Sequence, residues 1–185
     1  MKPEQKFLFA LRDLPPQGRD FVVDAPEVWQ RPITEYGITC SLTGAPELSV
    51  NILPVDGGWL LRGSLHADIV VPCSRCCRDT PLSLNESFED YIAMPEEGEP
   101  LPESTFEEGE SHIVYEMGAL MVDLAGIAWE QFALALPPTP VCREDCRGLC
   151  PHCGQDLNEG SCHCAEEQGD PRMALLRGLK IAPRQ

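Results

Sequence analysis

The spacing of cysteines near the carboxyl end constrains this chain more than any other feature. Six of its ten cysteines lie within residues 142–164, in the stretch CREDCRGLCPHCGQDLNEGSCHC. Inside it, Cys150-Pro-His-Cys153-Gly154 has the spacing of a metal knuckle, in which two thiolates bind one ion and the glycine lets backbone amides turn toward the sulfurs. Cys162-His-Cys164 follows after eight residues and supplies two more thiolates. These four cysteines predict a tetrahedral zinc site.

A second pair of cysteines comes much earlier, where a predicted strand ends. In a second four-thiolate site, Cys73-Ser-Arg-Cys76 would be joined by the remaining cysteines of the terminal stretch, Cys142 and Cys146. This long-range pairing would pin the sheet to the terminal module. The residues alone leave two alternatives open, because Cys77 competes with its neighbour and the terminal cysteines can select four ligands among themselves.

Other chemistries for these thiols fit the spacing less well. An iron–sulfur cluster also takes four thiolates, but a C-P-x-C-G knuckle beside a C-x-C pair favours zinc. A C-x2-C pair is also a redox motif, but no thioredoxin-like βαβ pattern surrounds Cys73 and Cys76. Residues 1–14 lack the apolar core of a secretion signal, so ten cysteines indicate metal binding or redox work in a reducing compartment. We therefore predict a cytoplasmic location.

Charge limits the partners that this chain can bind. A formal net charge of −16 disfavours a broad basic face for nucleic acid and fits a basic protein partner more easily. Arginines nevertheless flank the paired cysteines: Arg75, Arg78, Arg143 and Arg147. In the simpler interpretation they compensate the charge of a four-thiolate zinc site, which is about −2. In the alternative they contact RNA.

The best-defined secondary structure is a β-hairpin within residues 47–71. Apolar residues occupy even positions before Asp56-Gly57-Gly58 and odd positions after it, so a two-residue Asp-Gly or Gly-Gly turn makes the apolar faces coincide. A strand that is bulged or interrupted around Glu86 is predicted next. Shorter strands are predicted at 5–14, 18–24, 33–45 and 113–121.

Few helices are predicted. Asp24 is expected to cap one or two helical turns, Asp123 to cap a helix through Ala135, and Asp170-Pro171 to begin a C-terminal helix. The window 117–136 is apolar, but it contains two acidic residues that disfavour a membrane span.

Together these patterns predict an α+β fold. It consists of a mainly antiparallel β-sheet or barrel-like domain with one or two helices and a C-terminal zinc-knuckle module. The β-rich domain covers residues 1–138 and includes a mobile acidic loop at 95–110. The cysteine-rich zinc module and the C-terminal helix cover residues 139–185.

Several ordered motifs within about residues 58–180 also have a family resemblance. They are Cys73-Ser-Arg-Cys76, Asp123-Leu with the helix end Leu134-Ala-Leu-Pro-Pro, the cysteine series with Cys150-Pro-x-Cys153-Gly-x-Asp-Leu-Asn158, and Asp170-Pro-Arg172. This order resembles the bacterial YceD-like family, whose members are called large ribosomal RNA subunit accumulation proteins. The resemblance implies a cytoplasmic factor connected with accumulation or processing of large-subunit ribosomal RNA. It implies no catalytic residue, and it implies these metal ligands: Cys73, Cys76, Cys142, Cys146, Cys150, Cys153, Cys162 and Cys164. Cys77 stands where the family usually has leucine.

The function expected from these observations is that of a non-enzymatic protein holding two zinc ions, each bound by four thiolates, that supports ribosome assembly. Its expected partner is large-subunit ribosomal RNA, a basic large-subunit ribosomal protein, or both, without a membrane. The alternatives are a thiol-redox enzyme, an enzyme that processes ribosomal RNA, or a general interaction scaffold stapled by metal. A nuclease is disfavoured because histidines and carboxylates do not cluster in the sequence.

Overall fold

The computed structural model describes residues 5–94, 112–116 and 118–164. The described strands are β1 (Leu8–Ala10), β2 (Arg19–Val23), β3 (Ser41–Leu42), β4 (Glu47–Val55), β5 (Gly58–Pro72), β6 (Asp79–Ala93), β7 (Ile113–Glu116) and β8 (Ala119–Asp123). The α-helices of this part of the chain are α1 (Pro26–Glu35) and α2 (Leu124–Ala135), and short 3-10 helices cover Gln5–Phe7 and Leu11–Asp13.

The β4–β5 hairpin forms the centre of the larger sheet. Val55 pairs with Gly58, so Asp56-Gly57 is a two-residue turn, and Gly57 has a positive φ of 80°, which glycine adopts without steric cost. The predicted hairpin and its apolar face are confirmed, because these side chains are all buried: Leu48, Val50, Ile52, Leu61, Leu65, Ile69. On the other side of β4 lies β2, and β3 pairs with the far end of β5.

β6 pairs with β5 along its whole length, from Gly58 opposite Ala93 to Pro72 opposite Asp79. The bulge or interruption predicted around Glu86 is wrong, because the register passes through this residue unchanged. Gly63 of β5 makes this close pairing possible, since a Cβ there would lie 2.6 Å from the ring of Phe88. Glu86 lies on the face of β6 that carries the apolar residues and remains exposed there, so it interrupts the apolar pattern without interrupting the strand.

The smaller sheet has the order β1-β8-β7 and all its strands are antiparallel. One returning strand was predicted over 113–121, but the described residues of this range form two paired strands, with 113–116 in β7 and 119–121 in β8. Ile113 and Val122 of this hairpin join the same core as the larger sheet. The two sheets do not close into a barrel within the described residues. The mainly antiparallel α+β class is thus confirmed.

The two helices differ in how well their sequence predicted them. At the start of α2, the Asp123 carboxylate accepts hydrogen bonds from the backbone N–H groups of Ala125 and Gly126 at 3.1 and 3.0 Å, as expected. Asp24 does not cap α1, whose N-cap is Ala25 without a side-chain hydrogen bond. The strand predicted over 33–45 is also wrong, because α1 continues to Glu35 and only β3 is extended.

Packing between the helices explains the longer α1. Trp29 is fully buried, and its ring meets the edge of Phe132 of α2 at a centroid distance of 5.9 Å. Tyr36, the C-cap of α1, stacks on Trp129 at 5.8 Å. These aromatic contacts outweigh the cost of Pro32 inside the helix.

The acidic loop predicted at 95–110 and the C-terminal helix predicted after Asp170 lie outside the described residues. Among the helices that are described, none has the length and apolar character needed to cross a bilayer.

Candidate metal centres

The turn between β5 and β6 presents two cysteines of the first group. Just beyond the end of β5, the Cys73 N–H donates to the carbonyl of Arg78 at 2.9 Å, and the Cys77 N–H donates back to the Cys73 carbonyl at 2.9 Å. Cys77 adopts a left-handed φ of 57°, which closes the turn. The N–H of Ser74 donates to the carbonyl of Pro140 at 2.7 Å. The turn is therefore fastened to the segment that carries Cys142.

Four sulfurs meet at this junction, and we call them cluster one: Cys73, Cys76, Cys142 and Cys146. All lie within 4.8 Å of one another, with Cys73 Sγ 3.8 Å from Cys146 Sγ and Cys76 Sγ 3.7 Å from Cys142 Sγ. Four sulfurs bound tetrahedrally to zinc at about 2.3 Å are about 3.8 Å apart. The spacing therefore fits a zinc ion, and it is far longer than the sulfur–sulfur bond of a disulfide, about 2.05 Å.

Four further sulfurs form cluster two: Cys150, Cys153, Cys162 and Cys164. A small turn builds it, in which the N–H of Cys150 donates to the carbonyl of Gln155 at 2.8 Å and the N–H of Gly154 donates to the carbonyl of Cys150 at 2.9 Å. Gly154 has a φ of 72°, as the knuckle pattern required. The Sγ atoms of Cys150 and Cys162 are 3.4 Å apart, and all four sulfurs lie within 4.8 Å.

The thiols of cluster one differ in their pKa values. Burial raises the pKa of Cys73, but backbone N–H groups that donate to its sulfur outweigh this effect and lower the pKa to about 6. Burial raises the pKa of Cys142 to about 12, and neighbouring thiols add to the increase. One sulfur is therefore readily ionised while another resists ionisation next to it, because neighbouring negative charges repel. A dication in the centre would stabilise all four thiolates together.

The thiols of cluster two also differ in their pKa values. Backbone N–H groups of Cys153 and His152 lower the pKa of Cys150 to about 6. The Cys153 thiol raises the pKa of Cys164 to about 12, and burial adds to the increase. The two clusters thus offer the same chemistry to a metal ion, since each has four thiol ligands and backbone donors around one sulfur.

Three of the four flanking arginines use their guanidinium groups to hold the module together. Arg75 Nη1 donates to the carbonyls of Glu144 and Cys146 at 3.2 and 2.9 Å. Arg78 Nη2 donates to Asp156 at 2.8 Å and to Glu159 at 3.3 Å. Arg143 Nη2 donates to the side chain of Asn158 at 2.8 Å. Arg147 is exposed, and its backbone N–H makes the contact with Asn158 at 2.8 Å.

Asn158 is the residue whose role sequence reasoning missed. It belongs to the chain segment between the cysteines of cluster two, yet its Nδ2 donates to the sulfur of Cys146 in cluster one at 3.5 Å. The same amide nitrogen donates to Asp156 at 2.7 Å. Asn158 thus joins the two clusters. Asn158 is the last residue of the motif Cys150-Pro-x-Cys153-Gly-x-Asp-Leu-Asn158. Its place in that motif is the sequence feature that could have indicated a role in the clusters.

The remaining two cysteines take no part in either group of four. Cys77 follows Cys76 directly but is exposed, whereas the Cys76 sulfur points into cluster one. Cys40 is half-buried against the core, and burial raises the pKa of its thiol. The structure thus brings Cys76, and not Cys77, into the group of four sulfurs that could hold a metal ion.

The part of the chain that carries both clusters matches a known protein family. Residues 61–180 match the model of a family described as large ribosomal RNA subunit accumulation protein YceD. This range contains all eight clustered cysteines. No solved structure matches the chain.

Curated relatives are found in bacteria and in a plant. An uncharacterized protein of Mycobacterium tuberculosis is 33% identical over 130 residues, which is 70% of this chain and 59% of that protein. An uncharacterized protein of Mycobacterium leprae is 29% identical over 144 residues, covering 76% of this chain and 61% of that protein. An Arabidopsis thaliana protein called large ribosomal RNA subunit accumulation protein YCED homolog 1, chloroplastic, is 23% identical over 74% of this chain and 49% of its own length. The chain therefore spans about half to three-fifths of these relatives.

Proposed function

This chain belongs to the YceD family, and on that premise we propose that it is a non-enzymatic zinc protein of the cytoplasm that supports the accumulation of large-subunit ribosomal RNA. The observation that carries the proposal is the coincidence of the family match with the two four-thiol clusters, since residues 61–180 include every cysteine of both. The family name supports the ribosomal role, and the sulfur geometry supports the binding of a metal.

Zinc is the metal that we propose for both clusters. The eight ligands would be thiolates, the sulfur spacing of cluster one fits bond lengths of about 2.3 Å, and zinc prefers four such ligands in structural sites. An ion bound to cluster one would tie the end of β5 to the terminal module. The division between a β-rich domain, 1–138, and a zinc module, 139–185, stays a prediction, and cluster one would hold its two parts together.

A redox enzyme is the main alternative, and the burial of the thiols argues against it. Cys73 and Cys150, whose pKa values are lowered to about 6, are 1% and 4% exposed. Each is also surrounded by three other sulfurs. A disulfide substrate would have to reach sulfurs that are almost inaccessible. The arrangement therefore supports a structural role.

The partner proposed for this protein is large-subunit ribosomal RNA, a basic large-subunit ribosomal protein, or both. The arginines of the cysteine module are the candidates for contact with RNA. Arg147 is the first candidate, because it is exposed and the guanidinium groups of the other three have partners within the described part of the module. The overall charge of −16 favours the protein partner.

The test measures the ribosomal RNA and the metal together. In cells depleted of this protein, we expect the ratio of large-subunit to small-subunit ribosomal RNA to fall and to recover when the wild-type chain is supplied. Mass spectrometry of the purified chain should find two zinc ions, and one ion in each of the variants Cys73→Ser and Cys150→Ser.

A matched control is Cys77→Ser, which should retain both ions and restore the RNA ratio, because this thiol lies outside the clusters. An unchanged RNA ratio after depletion would refute the ribosomal role. A chain that retains two ions after Cys73→Ser would refute cluster one as a zinc site.

A further inference from the structure

The outer edge of β6 is the longest unpaired strand edge in the described part of the chain. β6 has fifteen residues and pairs on one side with β5 along its entire length. Within residues 5–94, 112–116 and 118–164, no strand pairs with its other side. An edge of this length presents a row of backbone donors and acceptors to which another extended chain can pair.

Two observations identify which backbone groups face outward. In an antiparallel pair, alternate residues direct both N–H and C=O toward the partner strand. Pro81, which has no N–H, lies opposite Val70 in an unbroken ladder, so its position faces away from β5. The N–H of Tyr91 donates to the Asp90 carboxylate at 2.7 Å rather than to a neighbouring strand. Both residues are odd-numbered, so the outward-facing groups between them belong to Ser83, Asn85, Ser87 and Glu89.

The charged side chains of this strand are all acidic. β6 contains four acidic residues and no lysine or arginine. Of these, Glu89 is paired with Arg62 of β5 at 2.5 Å. Glu86 and Asp90 lie on the opposite face, where they stand on either side of the partly buried Phe88 and remain exposed. The apolar face of β6 is thus uncovered between Leu84 and Ile92, where it presents an acid, an aromatic residue and an acid at alternate positions.

The acidity extends far beyond β6. Residues 79–142 contain fourteen acidic residues and neither lysine nor arginine, while the rest of the chain contains sixteen acidic and fourteen basic residues. This single stretch therefore carries fourteen of the sixteen net negative charges. A long-range field of this sign attracts basic chains and repels the phosphates of RNA.

We propose that the outer edge of β6 binds an extended, lysine- or arginine-rich protein segment as an additional strand. The inference rests on the proposed function in that it names the chemistry of the protein partner and the surface that receives it. Residues directly opposite each other in a sheet share a face, so the fitting segment has basic residues opposite Glu86 and Asp90 and an apolar residue opposite Phe88. The recognised pattern is basic-x-apolar-x-basic.

The same side chains disfavour other occupants. A second copy of β6 would bring acidic strands against each other, and like charges directly opposite are destabilising. Charged residues on the inner face and a proline on the edge are common protections against such self-pairing. The compatible partner here is a strand of opposite charge, because the acidic groups that repel a second copy attract a basic strand.

The proposal can be tested with a synthetic probe and the full chain. The probe is a nine-residue peptide with lysines two residues on either side of a central valine and threonines elsewhere, labelled for fluorescence anisotropy. Its control has the same sequence with alternate backbone nitrogens methylated, which preserves the charge and removes the donors needed for strand pairing. We expect the methylated peptide to bind roughly tenfold more weakly at low salt. Equal binding of both peptides would overturn the proposal.

Variants of the chain test the surface itself. Glu86→Lys with Asp90→Lys should weaken binding of the lysine peptide roughly tenfold or more at low salt. The matched control is Asp24→Lys with Glu35→Lys, which changes the net charge equally at exposed positions of another region and should change the affinity by less than about twofold. An equal loss in both variants would show binding to the overall charge alone and would overturn the edge proposal.

Ser87→Pro tests the backbone edge without changing charge. Position 87 faces outward like Pro81, so the substitution should retain the pairing with β5, which circular dichroism checks. Peptide affinity should fall about as much as with backbone methylation. Unchanged affinity in a folded Ser87→Pro chain would overturn the proposal, as would tighter binding of a nine-nucleotide RNA than of the peptide.

Failure of this proposal differs from failure of the proposed function. If depletion lowers the large-subunit RNA ratio but the peptide does not bind, the edge proposal alone is wrong. If the peptide binds as described but depletion leaves the RNA ratio unchanged, the edge stands and the ribosomal role is wrong.

Discussion

The two sulfur clusters have the same ligands but occupy different environments. In cluster one, Cys73, Cys76 and Cys146 are buried and Cys142 is half-buried. In cluster two, only Cys150 is buried, and two of its four cysteines are exposed. The two clusters have the same ligands but differ in burial, and we infer that they have different structural roles. Cluster one joins distant parts of the chain, whereas cluster two shapes one local loop.

Sequence separation leads to the same distinction. The sulfur contacts of cluster one join residues 66 and 73 positions apart, whereas the contact between Cys150 and Cys162 spans 12 positions. Closing a longer loop costs more conformational entropy, and a crosslink that holds it closed removes more freedom from the unfolded chain. The loss of cluster one should therefore be felt by the whole fold, and the loss of cluster two mainly by its own turn.

The largest expected effect comes from removing one ligand of each cluster. Cys73→Ser should lower the Tm by at least about 10 °C and make the segment after residue 140 sensitive to protease, because the terminal module loses its attachment to β5. Cys150→Ser should lower the Tm by less than half as much. Differential scanning calorimetry and limited proteolysis measure the two effects. Equal changes in Tm would remove the distinction between the clusters, and Cys77→Ser serves as the control because it should leave Tm unchanged.

Two glycines form a matched pair that separates the effect of backbone strain from the effect of the contact between the terminal module and Arg75. Gly148 and Gly154 have nearly equal φ values of 73° and 72°, but a Cβ on Gly148 would lie 2.9 Å from the Arg75 carbonyl, whereas nothing lies within 4 Å of one on Gly154. We expect Gly154→Ala to cost about 1 kcal/mol, the strain of a left-handed residue. Gly148→Ala should cost about 2–3 kcal/mol, since the module must also move away from Arg75.

Urea unfolding of the zinc-bound chain measures both free energies. A cost for Gly148→Ala no larger than that for Gly154→Ala would show that the approach of the module to Arg75 contributes little.

Asn158→Ala tests the connection between the clusters. Its amide donates to the Cys146 sulfur, and loss of an outer hydrogen bond to a metal ligand weakens metal affinity by roughly 10–100-fold. We expect this loss at cluster one, although Asn158 lies in the segment of cluster two. Competition with a zinc chelator measures it, and Asn85→Ala, which removes an exposed amide bonded to His66, is the control. Weakening confined to cluster two would contradict the connection.

The smallest effect is expected at the ion pairs of Arg78, which is half-exposed and contacts Asp156 and Glu159. Arg78→Gln should raise the pKa of Asp156, which hydrogen bonds from Asn158 and the charge of Arg78 now lower. The change in stability should be smaller than that of Gly154→Ala, and it should shrink between about 0.05 and 1 M salt because exposed charges are screened. Arg62→Gln, which breaks an exposed pair with Glu89, should behave similarly. A loss independent of salt would indicate that Arg78 acts through packing.

The features that the sequence predicted well are those governed by local chemistry. Alternating apolar residues around Asp56-Gly57 determine the β4–β5 hairpin, and Asp123 is followed immediately by the helix that it caps. The knuckle of cluster two depends on cysteines close together in sequence, so its grouping was accessible from spacing. The sequence determined the members of cluster one less well, because Cys76 and Cys77 are adjacent. Only the direction of the turn places the Cys76 sulfur in the cluster.

The errors occur where tertiary contacts override local patterns. Pro32 lies inside α1, and the helix continues past it because Trp29 and Ile33 are buried in the core. Glu86 interrupts an apolar alternation without interrupting β6, since the core does not extend over that position. The contact of Asn158 with Cys146 depends on how the module folds back, which spacing along the chain does not reveal.

The separation of 66 positions between Cys76 and Cys142 also determines how long the early ligands exist before the late ones are synthesised. A ribosome adds about 5–20 residues per second, so the two thiols after β5 are made roughly 3–13 seconds before the first of their partners. Cluster two needs only fifteen residues, Cys150 to Cys164, to be complete. Only half of the ligands of cluster one are thus present for this part of translation, and the early thiols must stay reduced and free of competing metals until Cys142 and Cys146 have been synthesised.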